Sequence, residues 1–442
     1  MITRPAVSPL FLITLVYMVG LLAAGVLAQD SDPGIDPIVQ IQTEANQAYA
    51  TGDWDTFLAM QKELLEHQPD NPVVAYNTAC GYALTGDKES AIEILAGLTA
   101  RGIDFGAATD PDFRSLADLP EFDQLMAQLD SLYPPINTSE IVYDLDPPDL
   151  IHEGMAYDPR TGRLFIGSMR YGNIHVAGPN HSLTEFARID GGGPLGILGL
   201  EVDTIRNILW AAGTAFQATE GYLPADRGIT AVFGFDLDNG TQSLSFRFPG
   251  RHPGFGFNDL TVSSAGDIYC TGGPVYVFPA GSIKPELLLP TDVVSASNGI
   301  TLSDDEKTLF IAAGGIVRVD LENGEYNWLE HADSIRVGNV DGMYYYDGSL
   351  VGIQHGPAPW RAARWFLNAN ETAIDSVITL ERKTSGVFTA TTGALVGDEF
   401  YFLARTVPPT TLPGGIPEGL RLFMGRPMIW KTSLTDRSVS QR

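Results

Sequence analysis

Four segments of the chain each place an oxygen-bearing side chain directly before a short strand pattern, a turn and a second, apolar strand. The oxygens belong to Glu153 (EGMAYDPRTGRLFIG), Asn258 (NDLTVSSAGDIYCT), Asn298 (NGITLSDDEKTLFIA) and Asp341 (DGMYYYDGSLVGI). Repeated units place equivalent residues at equivalent positions around one axis. Two carboxylates and two amides that converge in this way are the oxygen donors a hard cation needs. The pattern therefore predicts a metal-centred site.

The elements that must position these residues are the strands of a β-propeller. From Ile141 onward the sequence becomes Gly-punctuated, β-branched and aromatic, and it contains six strand-turn-strand units. The second strands of these units centre on Leu164-Phe165, Leu209-Trp210, Ile268-Tyr269, Leu309-Phe310, Leu350-Val351 and Phe400-Tyr401. Their spacings of 45, 59, 41, 41 and 50 residues are typical of propeller blades with two insertions. The sequence predicts a mainly β fold, a six-bladed propeller over residues 141–436.

Chain direction predicts which loops surround the four oxygens. If the oxygens open the innermost strands, the second strands return to the same face, and the loops that follow them encircle the site. The two longest of these loops, Thr214–Gly228 and Arg405–Arg426, are expected to act as lids over one opening.

The four segments HEGMAYDPRTGRLFIGS, FNDLTVSSAGDIYCT, SNGITLSDDEKTLFIA and VDGMYYYDGSLVGI resemble, in order, the landmark segments of the senescence marker protein, gluconolactonase and luciferin-regenerating enzyme family. That resemblance covers the whole predicted propeller. It implies that Glu153, Asn298 and Asp341 bind a divalent cation, calcium first, with zinc, magnesium or manganese also accepted. It further implies that Asn258 holds the substrate or a bound water, and that Asp259 orients its neighbours or accepts a substrate hydroxyl.

The oxygen donors Glu153, Asn298 and Asp341 are suited to metal-assisted hydrolysis of an ester. Two carboxylates and an amide carry a net charge of about −2 and suit Ca²⁺ or Mg²⁺ with positions left for water and substrate. A cation at this site can polarise a lactone carbonyl. Asp341 is the predicted proton acceptor, and ring opening would need no covalent intermediate. Taken singly, however, an Asn or Asp before a Gly more often caps an ordinary turn.

Three residues depart from the family pattern or add to it. Family members that hydrolyse sugar lactones carry an Arg two residues before the Asn of the third-blade motif, and Gly256 stands there in this chain. His152 stands where the family often has Gly, so it is either an added substrate-binding or acid-base group or a neighbour that hydrogen-bonds a ligand. His355, on the same predicted face, is a candidate proton shuttle or an ordinary surface histidine.

A helical segment precedes the predicted propeller. Thr51-Gly52-Asp53 recurs as Thr85-Gly86-Asp87 at an offset of 34 residues, within an Ala- and Leu-rich region with apolar residues at helical spacing. This part, residues 37–133, resembles the tetratricopeptide repeat. Two repeats are too few for a long groove, so a packed appendage and a surface for a protein partner both remain open.

The N-terminal sequence predicts the localisation of the protein. Arg4, the apolar run Leu10–Ala28 and the small-residue pattern before Gln29 predict a signal peptide, residues 1–28, and hence a secreted or periplasmic protein. An uncleaved membrane anchor is the alternative.

The net charge of −27 argues against a nucleic-acid partner. Cys80 and Cys270, the only cysteines, fall in different predicted domains, so both are expected to be buried thiols.

Two main functions follow from these patterns. The first is a metal-dependent hydrolase acting on a small-molecule lactone or related ester. The second is a non-catalytic propeller that contains a metal and binds a protein or glycan, which Gly256 favours because a sugar lactone loses a donor there. Another propeller chemistry, such as that of strictosidine-synthase-like enzymes, is a third alternative, because fold does not determine function.

Overall fold

The computed structural model describes residues 37–69, 71–145, 150–178, 182–248, 256–291, 293–294, 296–356, 359–383, 387–406 and 427–435. It forms two compact units, one containing the helices up to Pro134 and the other containing the strands from Pro135 onward. The predicted signal peptide lies outside the described residues. Within the ranges given above, no helix is both long and apolar enough to cross a membrane.

From residue 37 onward, the described part of the first unit contains five α-helices: α1 (Pro37–Thr51), α2 (Trp54–His67), α3 (Pro72–Thr85), α4 (Lys88–Ala100) and α5 (Pro120–Leu132). Both Thr-Gly-Asp sequences make the same turn between paired helices. Gly52 and Gly86 have φ angles of 76° and 92°, and the Asp that follows each of them caps the next helix. The repeated sequence therefore builds a repeated helical hairpin, and its tetratricopeptide character stays a prediction.

Two short 3-10 helices, Ala107–Thr109 and Pro111–Leu116, connect α4 to α5. The core of this unit includes Phe57, Tyr76 and Phe113, each about fully buried. Cys80 lies in this core, and Cys270 is equally buried in the second unit; both are free thiols, as expected.

The second unit is the predicted six-bladed propeller. Its innermost strands are β2 (His152–Asp158), β6 (Gly196–Asp203), β10 (Leu260–Val262), β14 (Ile300–Leu302), β19 (Val340–Tyr345) and β23 (Val387–Val396). Each contacts the innermost strand of the next blade, and β23 contacts β2, so the blades close into a ring.

The second strands confirm the predicted centres in all six blades. They are β3 (Arg163–Ser168), β7 (Ile208–Thr214), β11 (Ile268–Cys270), β15 (Thr308–Ala312), β20 (Ser349–Gln354) and β24 (Glu399–Thr406). Third strands follow as β4 (Asn173–Ala177), β8 (Thr230–Asp236), β12 (Val275–Phe278), β16 (Ile316–Asp320), β21 (Arg361–Leu367) and β25 (Pro427–Ser433). The fourth strands of blades 1 to 5 are β5 (Leu183–Arg188), β9 (Gln242–Arg247), β13 (Glu286–Leu289), β17 (Tyr326–Trp328) and β22 (Ala373–Arg382).

Blade 6 obtains its fourth strand from the other end of the propeller. Strand β1 (Glu140–Asp144) pairs antiparallel with β25, with Glu140 opposite Lys431. A short strand, β18 (Glu330–His331), also adds to the outside of blade 5 in parallel with β22. Pairing β1 with β25 joins the first and last strands of the propeller and so closes the ring.

A β-bulge interrupts the innermost strands at one equivalent position. In blade 1, Glu153 pairs with Gly167 and Met155 with Ile166, which leaves Gly154 unpaired. Blades 2, 5 and 6 show the same register shift. In blades 3 and 4, two residues of the innermost strand likewise lie opposite one residue of the second strand. The backbone of Thr271 hydrogen-bonds the backbones of both Asn258 and Asp259. The backbone of Ala312 hydrogen-bonds those of both Asn298 and Gly299 in the same way. Bulges re-aim side chains, so this repeated feature directs one residue per blade differently from its neighbours.

Candidate metal and substrate site at the channel mouth

The bulges define a ring of six equivalent residues at one end of the central channel, which we name the mouth ring. Its members are Glu153, Leu198, Asn258, Asn298, Asp341 and Thr391. The inner strands lie unusually close at this level. A Cβ added at Gly154 would lie 2.6 Å from the Leu198 carbonyl oxygen, and one at Gly299 would lie 2.2 Å from that of Asp341. The four predicted oxygen donors therefore occupy equivalent positions in one ring.

A second set of equivalent residues follows the ends of the second strands, and we name it the outer ring. It consists of Met169, Thr214, Gly273, Gly314, His355 and Arg405. Only two of these side chains can carry positive charge, and each contacts a carboxylate of the mouth ring. The outer ring thus supplies the partners of Glu153 and Asp341.

Arg405 is the partner of Glu153. Its Nη2 donates to Glu153 Oε2 at 2.9 Å and also to the backbone carbonyl of His152. The two side chains are 7% and 11% exposed. Burial raises the pKa of Glu153 to about 7, against the opposite charge of Arg405 and with the like charge of Asp341 adding to the rise. Glu153 and Asp341 are therefore close enough to repel each other.

His355 is the partner of Asp341. Its Nε2 lies 3.0 Å from Asp341 Oδ2, and the His355 side chain is 10% exposed. The backbone N–H of His355 donates to the carbonyl of Asn339, which holds the residue at the start of its loop. The contact places one ring nitrogen of His355 against the predicted proton acceptor.

The two asparagines of the mouth ring offer free amides. The backbone N–H of Asn258 donates to Thr271 and that of Asn298 to Ala312, so both main chains are fixed by the neighbouring strand. Thr271 Oγ1 also donates to the carbonyl of Asn298. Neither carboxamide has a hydrogen-bond partner within the described part of the chain, and both side chains are half-buried. They are positioned by the backbone and available to a ligand.

Asp259 occupies the position where most blades have glycine or a small residue. Its Oδ1 accepts from the backbone N–H of Leu260 at 2.9 Å. Burial raises the pKa of Asp259 to about 7, with bonds from the Leu260 and Ile300 amides opposing the rise and the charges of Asp341 and Glu153 adding to it. These contacts are those of a residue that positions its own strand and the next blade.

Glu201 and Tyr344 were not predicted from sequence, and they lie deeper in the channel wall. Burial raises the pKa of Glu201 to about 8, with further contributions from Asp259 and Asp203. The Tyr344 hydroxyl accepts from the Gly393 N–H at 2.9 Å and lies 3.0 Å from Thr392 Oγ1. The innermost strands next to the mouth ring therefore carry a further carboxyl group and a further hydroxyl group.

His152 does not join the mouth ring. It shares a face of blade 1 with Ile166, which packs against blade 6, and its side chain is almost fully buried at 1% exposure. Burial lowers its pKa to about 3, with the charges of Arg405 and His175 adding to the effect. Neither ring nitrogen has a hydrogen-bond partner among the described residues. A substrate contact by this imidazole stays a prediction.

The lid predicted at Thr214–Gly228 lies entirely within the described residues, and it packs over blade 1. Thr219 Oγ1 donates to the carbonyl of Met169 at 3.0 Å, and the N–H of Glu220 donates to that of Arg170 at 2.8 Å. For the second predicted lid, residues 407–426 lie outside the described residues. One of the two loops is thus fixed beside the mouth by backbone contacts.

Arg405, Leu198 and Thr391 were missed by the search for oxygen donors before a Gly. Arg405 has the same strand register in blade 6 as His355 has in blade 5. Thr391 precedes Thr392 rather than a Gly, and Leu198 carries no oxygen. Alignment of the six complete strand-turn-strand units, which the sequence does allow, would have identified all three positions.

The fold and this ring of residues define a six-bladed β-propeller with a polar site at one end of its channel. No family model matches the chain, and no curated protein sequence matches it. Similar solved structures include a gluconolactonase from Xanthomonas campestris, at 14% identity over 68% of this chain and 96% of that chain, with a TM-score of 0.45.

A calcium-binding protein, regucalcin, from Agrobacterium tumefaciens is 15% identical over 67% of this chain and 94% of its own, with a TM-score of 0.46. Virginiamycin B lyase from Staphylococcus aureus is 14% identical over 67% of this chain and 99% of its own, with a TM-score of 0.42. These structures differ in activity, so function is argued below from the residues of the mouth.

Proposed function

We propose that this protein is a hydrolase that opens a lactone or related ester at the mouth of the propeller channel. The observation that carries the proposal is the pair of unpartnered amides, Asn258 and Asn298, in one ring with the buried carboxylate of Glu153 and the half-buried carboxylate of Asp341. Half-buried polar groups without a protein partner are typical of sites that bind an ion, a water or a ligand. The ring is built for a bound group rather than for its own stability.

The donor set fits a divalent cation. Glu153, Asn298 and Asp341 would hold it, and all three offer oxygen atoms, which calcium prefers; zinc, magnesium and manganese are alternatives. A bound cation would polarise the ester carbonyl and stabilise negative charge on its oxygen. The excess of carboxylate over Arg405 in this buried ring supports a cation there.

The chain's own residues have separate tasks in the proposed reaction. Asp341 accepts a proton from the attacking water, and His355 holds the Asp341 carboxylate through the contact at 3.0 Å. Asn258 binds the substrate or that water through its free amide. Arg405 fixes the orientation of Glu153. Attack by water breaks the bond between the acyl carbon and the ester oxygen, Asp341 returns its proton to that leaving oxygen, and no covalent intermediate with the protein is required.

We also propose that the protein is exported and that its helical unit has a protein partner. Export is supported by Arg4 and the apolar run Leu10–Ala28. The partner is supported by the repeated helical hairpins, each with its own capped turn. Fractionation of the native host and affinity capture with the full chain, compared with a chain lacking residues 37–133, test the two points.

A panel of lactones and aryl esters, assayed with calcium and with chelator, tests the catalytic proposal. We expect turnover that chelator abolishes and calcium restores. Asp341→Asn and Glu153→Gln should lower kcat/KM by at least about 100-fold, as loss of a general base or a ligand does. Calcium titration by calorimetry gives a second measure, which does not depend on turnover.

Asp320→Asn is the matched control. This aspartate accepts bonds from the Glu322 and Asn323 amides in an outer turn of blade 4, so the same chemical change there should leave kcat/KM unaltered. Full turnover in Asp341→Asn would refute its assigned role. Calcium binding without hydrolysis of any substrate would instead support a non-catalytic binding propeller.

A further inference from the structure

The mouth ring is polar except at blade 2, where Leu198 stands. Blades 1, 3, 4, 5 and 6 contribute carboxyl, amide or hydroxyl groups at this position, whereas Leu198 contributes an apolar side chain that is 6% exposed. An apolar residue cannot bind a cation or a sugar hydroxyl. The blade 2 sector of the mouth therefore differs chemically from the rest.

A second group of apolar residues lies at the predicted lid. Phe216 and Ala218 of the loop after β7 pack against Met169 and Ile151, and Phe216 lies half-buried over the other three. Met169 belongs to the outer ring, so the cluster borders the mouth. Because Thr219 and Glu220 bond the backbone of blade 1, the loop holds Phe216 in place. We name Leu198, Phe216, Met169 and Ile151 the apolar wall.

Backbone strain accompanies one member of this wall. Ile151 has a φ angle of 47°, a left-handed conformation that is rare and strained for a β-branched residue. In blade 5 the equivalent residue is Asn339, with a φ angle of 57°, and asparagine tolerates this conformation far better. The turn itself thus does not call for isoleucine. Its presence is explained by the contacts of its side chain with Met169 and Ala218.

Among the described residues, the positions of Gly256 and Thr214 offer no free side-chain donor to a sugar. A Cβ added at Gly256 would lie 2.3 Å from Thr214 Cγ2, so the backbone leaves no room for a longer donor there. The Thr214 hydroxyl is already used, since it donates to the Phe257 carbonyl at 2.6 Å and lies 2.9 Å from Thr230 Oγ1. A polyhydroxylated lactone would leave hydroxyl groups unsatisfied against this wall.

We propose that the substrate is a lactone or ester with an apolar alkyl or aryl substituent, which lies against the apolar wall while its carbonyl faces Asn298 and Asp341. This inference rests on the proposed hydrolase function and adds the substrate class. Leu198 and Phe216 are the residues that determine specificity. Polar recognition is confined to the reacting ester group.

A homologous series of substrates tests the proposal. The probes are γ-lactones whose alkyl side chain grows one methylene at a time from methyl to hexyl, together with D-glucono-δ-lactone. Each methylene that reaches the wall should raise kcat/KM about fourfold, the factor expected from burial of one such group. D-Glucono-δ-lactone should be hydrolysed at least about 100-fold less efficiently than the hexyl lactone.

Variants assign the effect to the wall. Phe216→Ala should lower kcat/KM for the hexyl lactone about tenfold and change that for the methyl lactone less than about twofold, whereas Phe216→Leu should retain most of the preference. Leu198→Asn, which inserts the amide of blades 3 and 4, should flatten the alkyl series, and Leu198→Met should preserve it. Leu223→Ala is the control, because Leu223 lies in the same loop but is 62% exposed. Thermal unfolding verifies that each variant is folded.

The outcomes separate this inference from the function on which it rests. Two results would overturn the apolar substrate class and leave the hydrolase intact. The first is that D-glucono-δ-lactone is a better substrate than the hexyl lactone. The second is that the alkyl preference is unchanged in both Phe216→Ala and Leu198→Asn. Hydrolysis of neither a lactone nor an aryl ester overturns the proposed function itself.

Discussion

Removal of Arg405 is the sharpest structural test of the mouth, because its guanidinium is the cationic partner of the buried Glu153. The pair has a 2.9 Å hydrogen bond, with side chains only 7% and 11% exposed. Breaking a buried ion pair by deleting one partner costs about 3–5 kcal/mol, since the remaining charge stays buried. We therefore expect Arg405→Met to lower the free energy of unfolding in chelator by about 3–5 kcal/mol.

A double-mutant cycle isolates the pair from other effects of each substitution. Glu153→Gln alone leaves Arg405 buried without a counter-charge, so it should also destabilise. The double variant leaves neither charge, so its cost should be smaller than the sum by about 2 kcal/mol or more. Urea unfolding is followed by tryptophan fluorescence, because Trp210 and Trp365 are buried within the propeller blades.

The Arg188–Glu185 pair provides the matched control. Its atoms are 2.8 Å apart, but its side chains are 52% and 46% exposed. Exposed pairs contribute about 0–1 kcal/mol, so Arg188→Met should cost no more than about 1 kcal/mol. If Arg405→Met costs no more than this control, or if the cycle is additive, the assignment of Arg405 as the partner of Glu153 is refuted. Calcium should stabilise Arg405→Met more than the wild type, because the cation then faces the carboxylates without a competing positive charge.

Two further predictions concern pH. Burial raises the pKa of Glu201 from 4.5 to about 8, so the folded state loses stability as pH rises between these values, by up to about 1.4 kcal/mol per pH unit. Glu201→Gln should flatten this decline in stability, which is measured as the urea midpoint from pH 5 to 9. An unchanged slope in the variant would contradict the prediction. Burial alone would raise the pKa of Asp158, but bonds from Arg160, Thr161 and Arg163 outweigh it and lower the pKa to about 2. Its contribution of about 2 kcal/mol is then present above pH 4 and lost as pH falls towards 2, so Asp158→Asn should destabilise at pH 7 and show a smaller acid-induced loss than the wild type.

The blade pattern was predictable because its signals are local. Alternating apolar residues, aromatic β-branched runs and Asp-Gly turns lie within each strand-turn-strand unit, and all six second strands occur where the sequence places them. The four oxygen donors were predictable for the same reason, since each opens a repeated unit. Their grouping in one ring required only that the units be equivalent.

The contacts across the ring were not predictable in this way. Arg405 bonds Glu153 across 252 residues of sequence, and β1 pairs with β25 from the opposite end of the propeller. Neither pairing leaves a local signal, because it depends on how the ring closes. The replacement of glycine by Asp259 is visible in the sequence, yet its bond to Leu260 depends on the bulge geometry.

The substrate class proposed for this mouth rests on the backbone as well as on side-chain choice. The family resemblance directs attention to an arginine at the position of Gly256, but there even a Cβ would lie 2.3 Å from Thr214. Thr214 in turn bonds both Phe257 and Thr230, so it cannot move without breaking the contacts that hold blades 2 and 3 together at this level. Introducing the arginine would therefore require rebuilding the junction between two blades. An amide in place of Leu198 alone would therefore still lack the neighbouring arginine that the family resemblance associates with sugar lactones.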